Sequence, residues 1–145
     1  MDRQKIYAQL IVDEGVRLAV YRDTLGNLTV GVGHLVLPED SLHLGDTITE
    51  ARCEELFNRD LNTAVFECQK LVLDFDDLPE DAQEVLVNMM FNMGPVRLAE
   101  FHHFLGHVKT RQWQIASHDM QSSAWHNQVG VRAKRLEKQI ESITL

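Results

Sequence analysis

The chain has 145 residues, 44% of them hydrophobic and 25% charged, and carries a net charge of −8. That length buries a sizeable core without help from disulfides or metals, and no apolar run approaches the roughly 20 residues of a membrane-spanning helix. The net acidity argues against a general nucleic-acid binder. The charged N-terminus, Met1-Asp2-Arg3-Gln4-Lys5-Ile6, lacks the apolar stretch and cleavage site of a secretory signal, so synthesis in the cytoplasm is expected. From about Asp2 to Glu14 the pattern predicts an amphipathic helix with Ile6, Tyr7, Leu10 and Ile11 at core spacing, stopped by Gly15. The period then changes. Between Val20 and His34, residues Leu28, Val30 and Val32 alternate with Thr29, Gly31 and Gly33, and Gly26-Asn27 supplies a turn. Thr29 is thereby expected to share a bare strand face with two glycines, where a backbone or a ligand can approach closely.

Residues 35–47, with Pro38, Ser41 and Gly45, read as an irregular connection with room for one short strand. Thr49 reads as the N-cap of a helix reaching about Leu71. Cys53 and Cys68 lie on its apolar face, 15 residues apart. That is a rise of about 22 Å, whereas the Cα atoms of a disulfide lie within roughly 7 Å, so two buried free thiols are expected. Asp74-Phe75-Asp76-Asp77 breaks the helix, and Pro79 fits the first turn of the next, which buries Val85, Leu86, Met89, Met90 and Met93 and stops at Gly94-Pro95. Short amphipathic stretches follow near 96–108, 110–121 and 125–141. The expected fold is α+β in one domain of 145 residues: a sheet-bearing lobe over about 15–48, a connecting helix over 49–71, and helical segments 1–14 and 72–145.

Charge is unevenly distributed. Residues 1–96 carry 7 basic and 18 acidic side chains, whereas residues 97–139 carry Arg97, Lys109, Arg111, Arg132, Lys134, Arg135 and Lys138 against Glu100, Asp119 and Glu137. The back half suits an anionic polymer, although solvated helix faces account for the same pattern. Glu14 at a helix C-terminus is disfavoured by the macrodipole unless something compensates it. Asp23 alone is ordinary turn chemistry. Together with Thr29 the two carboxylates suit a glycosidase, in which one carboxyl group donates a proton to the leaving oxygen and the other stays ionised. His34 is read as a buried imidazole paired with a carboxylate. His103 and His107 share a helix face, but Phe104 stands where a zinc protease motif needs Glu, so solvated or capping histidines are expected and no metal. Trp113 and Trp125 both suit a core, and the polar residues His126, Asn127 and Gln128 after Trp125 also suit the edge of a sugar cleft.

Asp13-Glu14-Gly15, Tyr21-Arg22-Asp23-Thr24 and Thr29-Val30-Gly31-Val32-Gly33-His34-Leu35 resemble the phage-type lysozymes (endolysins, glycoside hydrolase family 24), with that family's spacing from Glu to Asp to Thr. Leu56-Phe57-Asn58-Arg59-Asp60 resembles the start of its interlobe helix, and Val87-Asn88-Met89-Met90-Phe91-Asn92-Met93-Gly94 its central core helix. Ser123-Ala124-Trp125-His126-Asn127-Gln128 and Arg132-Ala133-Lys134-Arg135 resemble its closing signatures. The resemblance implies inverting hydrolysis of the β-1,4 bond between N-acetylmuramic acid and N-acetylglucosamine in peptidoglycan. Glu14 would be the general acid, Asp23 the group that holds water or stabilises the sugar cation, and Thr29 a helper in placing that water. It implies an arginine, Arg132, that reaches back to the catalytic Glu, a buried ion pair of His34 with Asp60, and substrate-binding or supporting roles for Gly33, Asn92, Trp125, Asn127, Gln128 and Arg132. No cofactor, nucleic acid or stable membrane anchoring is implied. A monomer is expected, made in the host cytoplasm and acting on the wall after a holin permeabilises the membrane, or else delivered as part of a phage tail.

The sequence departs from the family in a shorter connection after His34 and in Val129-Gly130-Val131, where a more polar, proline-containing stretch is usual. Its net acidity is also unusual for a family whose members are often basic. Two rival classes are a catalytically silent wall-binding module on the same fold, which has no need for all of Glu14, Asp23 and Thr29, and a helical protein-interaction domain, which leaves the bare glycine face unexplained.

Overall fold

A computed structural model describes residues 1–144. The chain divides into two compact units, Asp2–Thr63 and the residues from Ala64 onward. In the first, α1 (Arg3–Glu14) starts where the Asp2 side chain accepts from the Lys5 N–H at 3.1 Å, and ends at Gly15, whose φ of 76° lets its N–H return to the Ile11 carbonyl. Ile6 and Leu10 are its buried residues, and Tyr7 meets the ring of Phe57 edge-on at 4.5 Å. The helical segment expected at 1–14 thus belongs with the sheet-bearing unit.

The sheet is antiparallel in the order β1 (Arg17–Arg22), β2 (Leu28–Gly31), β3 (His34–Leu35). Tyr21 pairs with Thr29, and a bulge shifts the register between Arg17 and Tyr21. The alternation expected to run on from Val30 through Val32 to His34 is instead broken by a second reversal, after the one at Gly26-Asn27. Gly31 and Gly33 hold φ of 66° and 63°, a region that L side chains rarely adopt, and they turn the chain so that His34 faces Val30 from the neighbouring strand. Val20, Val30 and Leu56 form the core beneath the sheet, with Leu28, Val36, Leu42 and Ile48 packed against it. Two- to six-residue strands are marginal alone, so this apolar backing holds the hairpin in place. After β3 the chain makes a 3-10 turn at Pro38–Asp40 and returns through a single bridge between Ala19 and Thr47. Thr49 Oγ1 then accepts from the Arg52 N–H at 3.0 Å, opening α2 (Glu50–Leu71).

The second unit takes the last turns of α2, a 3-10 turn at Phe75–Asp77, and α3 (Glu80–Ala99). Every residue from Ala82 to Met90 is buried, so this helix has no solvent face there and its polar members need partners. Gln83 Nε2 donates to the Phe75 carbonyl at 3.0 Å, and Glu84 Oε2 accepts from Gln139 Nε2 at 2.8 Å. Helical geometry fails at Gly94 (φ 78°, ψ 171°), and Pro95 opens the turn that follows. Pro79 stands one place outside α3, as its N-cap. Then come α4 (His102–Lys109), α5 (Trp113–Gln121), α6 (Ala124–Val129) and α7 (Val131–Glu141). The stretch read as one segment over 125–141 is two helices, because Gly130 at φ 58° and ψ −115° breaks it. The described residues therefore form seven α-helices and one small N-terminal antiparallel sheet, the α+β fold expected.

Candidate active site

Glu14 is the last residue of α1 and is half-buried. Gly33 lies against it: a β-carbon at position 33 would stand 3.4 Å from Glu14 Oε2 and 3.5 Å from its Cβ. Gly31 serves a different purpose. Its missing side chain makes room for Cys53 of α2, whose Sγ would stand 3.2 Å from a β-carbon there. The bare glycine face therefore divides into one position that admits a helix and one that borders a carboxylate.

Asp23 follows β1 at the start of a tight turn. Its Oδ1 accepts from the backbone N–H groups of Leu25 (2.9 Å) and Asn27 (2.8 Å), and its own N–H donates to the Asn27 carbonyl at 2.9 Å. The buried Thr29 hydroxyl donates to that same carbonyl at 3.1 Å. The main chain of Asn27 thus ties Asp23 and Thr29 into one rigid unit. With its proton engaged, Thr29 Oγ1 is left as an acceptor, and Asp23 Oδ2 is a second acceptor on the same turn.

His34 is 3% exposed and lies between two carboxylates, with Nδ1 2.7 Å from Asp60 Oδ2 and Nε2 2.7 Å from Asp40 Oδ2. Donating from both ring nitrogens requires the imidazolium. Burial opposes that charge, but the hydrogen bonds and charges of Asp60 and Asp40 outweigh it and raise the His34 pKa above its ordinary value. Asp40 moves the other way. Burial would raise its pKa, but the bond to His34, the Leu37 N–H at 2.8 Å and the Arg59 guanidinium at 3.4 Å together lower it. Asp40 is not among the residues that the sequence pattern marks for this cluster. The available signal was Pro38, which opens a turn able to bring a carboxylate six residues downstream back onto His34.

In the second unit Arg132 is half-buried, and its Nε donates to Asn88 Oδ1 at 2.8 Å. Asn92 Oδ1 accepts from the Trp125 indole N–H at 2.6 Å, and Trp125 also meets Phe101 edge-on. Trp125 does not stand at an open edge. It is 2% exposed and part of the core, so any role it has toward a ligand is one of support. Asn127 and Gln128 are exposed, and Gln128 Oε1 accepts from Arg97 at 3.3 Å.

Residues 12–141 match the family described as phage lysozyme, a span that includes Glu14, Asp23, Thr29 and Arg132. The chain belongs to the phage lysozyme family. It is 27% identical over 155 residues to Probable T4-type lysozyme 2 of Dictyostelium discoideum, an alignment covering 92% of this chain and 91% of that protein. A SAR-endolysin of Bacteriophage PS119 is 36% identical over 84 residues, covering 56% of this chain and 46% of the endolysin. The Pre-baseplate central spike protein Gp5 of Enterobacteria phage T4 is 28% identical, covering 86% of this chain and 25% of the spike.

Family membership makes this lysozyme a hydrolase of peptidoglycan. Of the remaining candidates, His107 has a structural partner. His103 is exposed, whereas His107 Nδ1 is 2.5 Å from Asp119 Oδ2, so the two do not converge as ligands. Both cysteines are buried free thiols. Burial raises the Cys53 pKa, and it pushes Cys68 up to about 12.

Proposed function

We propose that this lysozyme is a muramidase that cleaves the β-1,4 bond between N-acetylmuramic acid and N-acetylglucosamine with inversion. The observation that carries the reading is the turn in which the Asn27 main chain holds Asp23 and Thr29 together, in the same unit as the Glu14 carboxyl beside Gly33. Glu14, protonated, donates to the glycosidic oxygen. A water that donates one hydrogen to Asp23 Oδ2 and the other to Thr29 Oγ1 presents its lone pair to the anomeric carbon. Asp23 takes the proton as the new C–O bond forms, and Glu14 keeps the negative charge left by the departing proton. The reaction needs no redox partner, and each proton has a donor and an acceptor.

The glycan strand is proposed to be the partner, with Gly33, Asn92, Trp125, Asn127, Gln128 and Arg132 forming or supporting its contacts. The protein is proposed to act as a monomer in host lysis, released to the wall by a holin. The likeness to the T4 spike supports tail delivery as a second route. The test compares wild type with Glu14→Gln on purified peptidoglycan, following reducing ends and the anomer first released. Hydrolysis by wild type alone, with an inverted product, is expected. Equal activity in both proteins removes Glu14 from its role, and a retained anomer makes Asp23 a nucleophile.

A further inference from the structure

Six residues are too few for α6 (Ala124–Val129) to persist as a helix without anchors, since isolated helices are marginal below about 12 residues. Its start is capped by Ser123 Oγ, which accepts from the His126 N–H at 3.2 Å, and its end is the break at Gly130. Two consecutive side chains point inward. Trp125 reaches Asn92 and Phe101, and His126 Nδ1 is hydrogen-bonded to Glu137 Oε1 of α7. The next two residues, Asn127 and Gln128, point outward. With about 100° between successive residues, slipping either anchor swings both amides away from their present direction.

Burial of Glu137 gives the His126 contact its importance. Its side chain is only 6% exposed, and a carboxylate so buried is tolerated when it is paired and costly when it is not. The pair also spans Gly130, the one residue between α6 and α7, so it limits rotation about that break. Resting on the reading that Asn127 and Gln128 meet the glycan, we propose that His126 is a positioning residue. Its hydrogen bond to Glu137 holds α6 in one orientation and thereby sets affinity for the wall polymer, not the rate of bond cleavage.

The test measures KM and kcat on purified peptidoglycan, co-sedimentation with insoluble peptidoglycan, and solvent exchange of the Trp125 indole proton. Wild type is compared with His126→Ala and with His126→Gln, whose amide can still donate to Glu137. His126→Ala is expected to weaken binding and raise KM by roughly tenfold with kcat within about twofold, and to speed indole exchange, because a preorganised contact is lost. His126→Gln is expected to restore most of the binding. If His126→Ala fails to fold, Glu137→Leu removes the buried charge together with the pair, and the same shifts are expected from it. A folded His126→Ala or Glu137→Leu variant with unchanged KM, binding and indole exchange overturns the proposal, as does a loss confined to kcat. Wall binding without hydrolysis by wild type sinks the muramidase reading alone. Wild type that neither binds nor cleaves peptidoglycan sinks both.

Discussion

Asp40→Asn isolates the electrostatic part of the His34 cluster, because the substitution keeps the shape of the side chain and removes its charge. The carboxyl is fully buried, accepts from His34 and the Leu37 N–H, and has Arg59 at 3.4 Å and Arg52 at 3.9 Å. Breaking a buried pair by removing one partner costs about 3–5 kcal/mol. Because the amide oxygen still accepts one hydrogen bond, the lower end applies, about 3 kcal/mol, or a fall in Tm of roughly 10 °C for a chain this size. The effect depends on pH through two groups of opposite sign. The raised His34 pKa gives stability that is complete below its ordinary value of 6.5 and is lost as pH climbs through the folded value. The lowered Asp40 pKa gives stability that is complete above its ordinary 3.8 and is lost as pH falls through the folded value. The advantage of wild type over Asp40→Asn is therefore full between those two ordinary values. It shrinks above the folded His34 pKa, where a neutral ring turns a lone pair toward one carboxylate. Urea unfolding of both proteins in steps from pH 5.5 upward measures the gap directly. A gap that does not shrink at any pH where both proteins still fold refutes the imidazolium reading.

Gly33→Ala forces a residue with a β-carbon into a left-handed conformation, at roughly 1–2 kcal/mol, and sets that carbon in contact with Glu14. A kcat lower by roughly tenfold or more is expected, and wild-type turnover and stability would show that the wall beside Glu14 is not constrained. Trp125→Phe deletes the donor to Asn92 and leaves part of the indole's buried volume unfilled, so unfolding in denaturant should show a loss larger than the roughly 1 kcal/mol of the bond alone, whereas an unchanged midpoint would mean that neither the bond nor the packing contributes net stability. Cys53 and Cys68 are expected to resist a disulfide reagent at pH 8 in the folded protein and to react fully in denaturant; rapid stoichiometric labelling of native protein would contradict their burial.

The parts of the fold that sequence discloses are those set by local chemistry. The Thr49 cap, the Gly15 stop, the Gly94 break and the buried face of α3 each follow from a residue's own conformational limits or from apolar spacing. The positions of Glu14 at a helix end and of Asp23 and Thr29 on one hairpin are legible for the same reason. What stays hidden depends on chain reversal. Val30, Val32 and His34 fit an alternating strand by period alone, and only the positive φ of Gly31 and Gly33 shows that His34 belongs to the next strand. The same reversal is needed before Asp40 can be seen beside His34. Gly130 misleads in the opposite sense, since an apolar pattern running through it looks continuous until the backbone there leaves the helical region.

The reversal also explains why the buried charges stand where they do. Gly33 borders Glu14, and the next residue, His34, is clamped on one side by Asp40 of the 3-10 turn and on the other by Asp60 of α2. A two-residue strand such as β3 has too few ladder bonds to fix its own position. The clamp supplies what the ladder lacks, because two hydrogen bonds from one ring define both the location and the orientation of the strand. Since a single peptide bond joins Gly33 to His34, slack in the clamp becomes displacement beside the Glu14 carboxyl. An apolar replacement of the cluster would leave the hydrophobic backing of Val20, Val30 and Leu56 intact yet lose that directional restraint. The ionic cluster is therefore maintained for the geometry beside the Glu14 carboxyl as much as for stability.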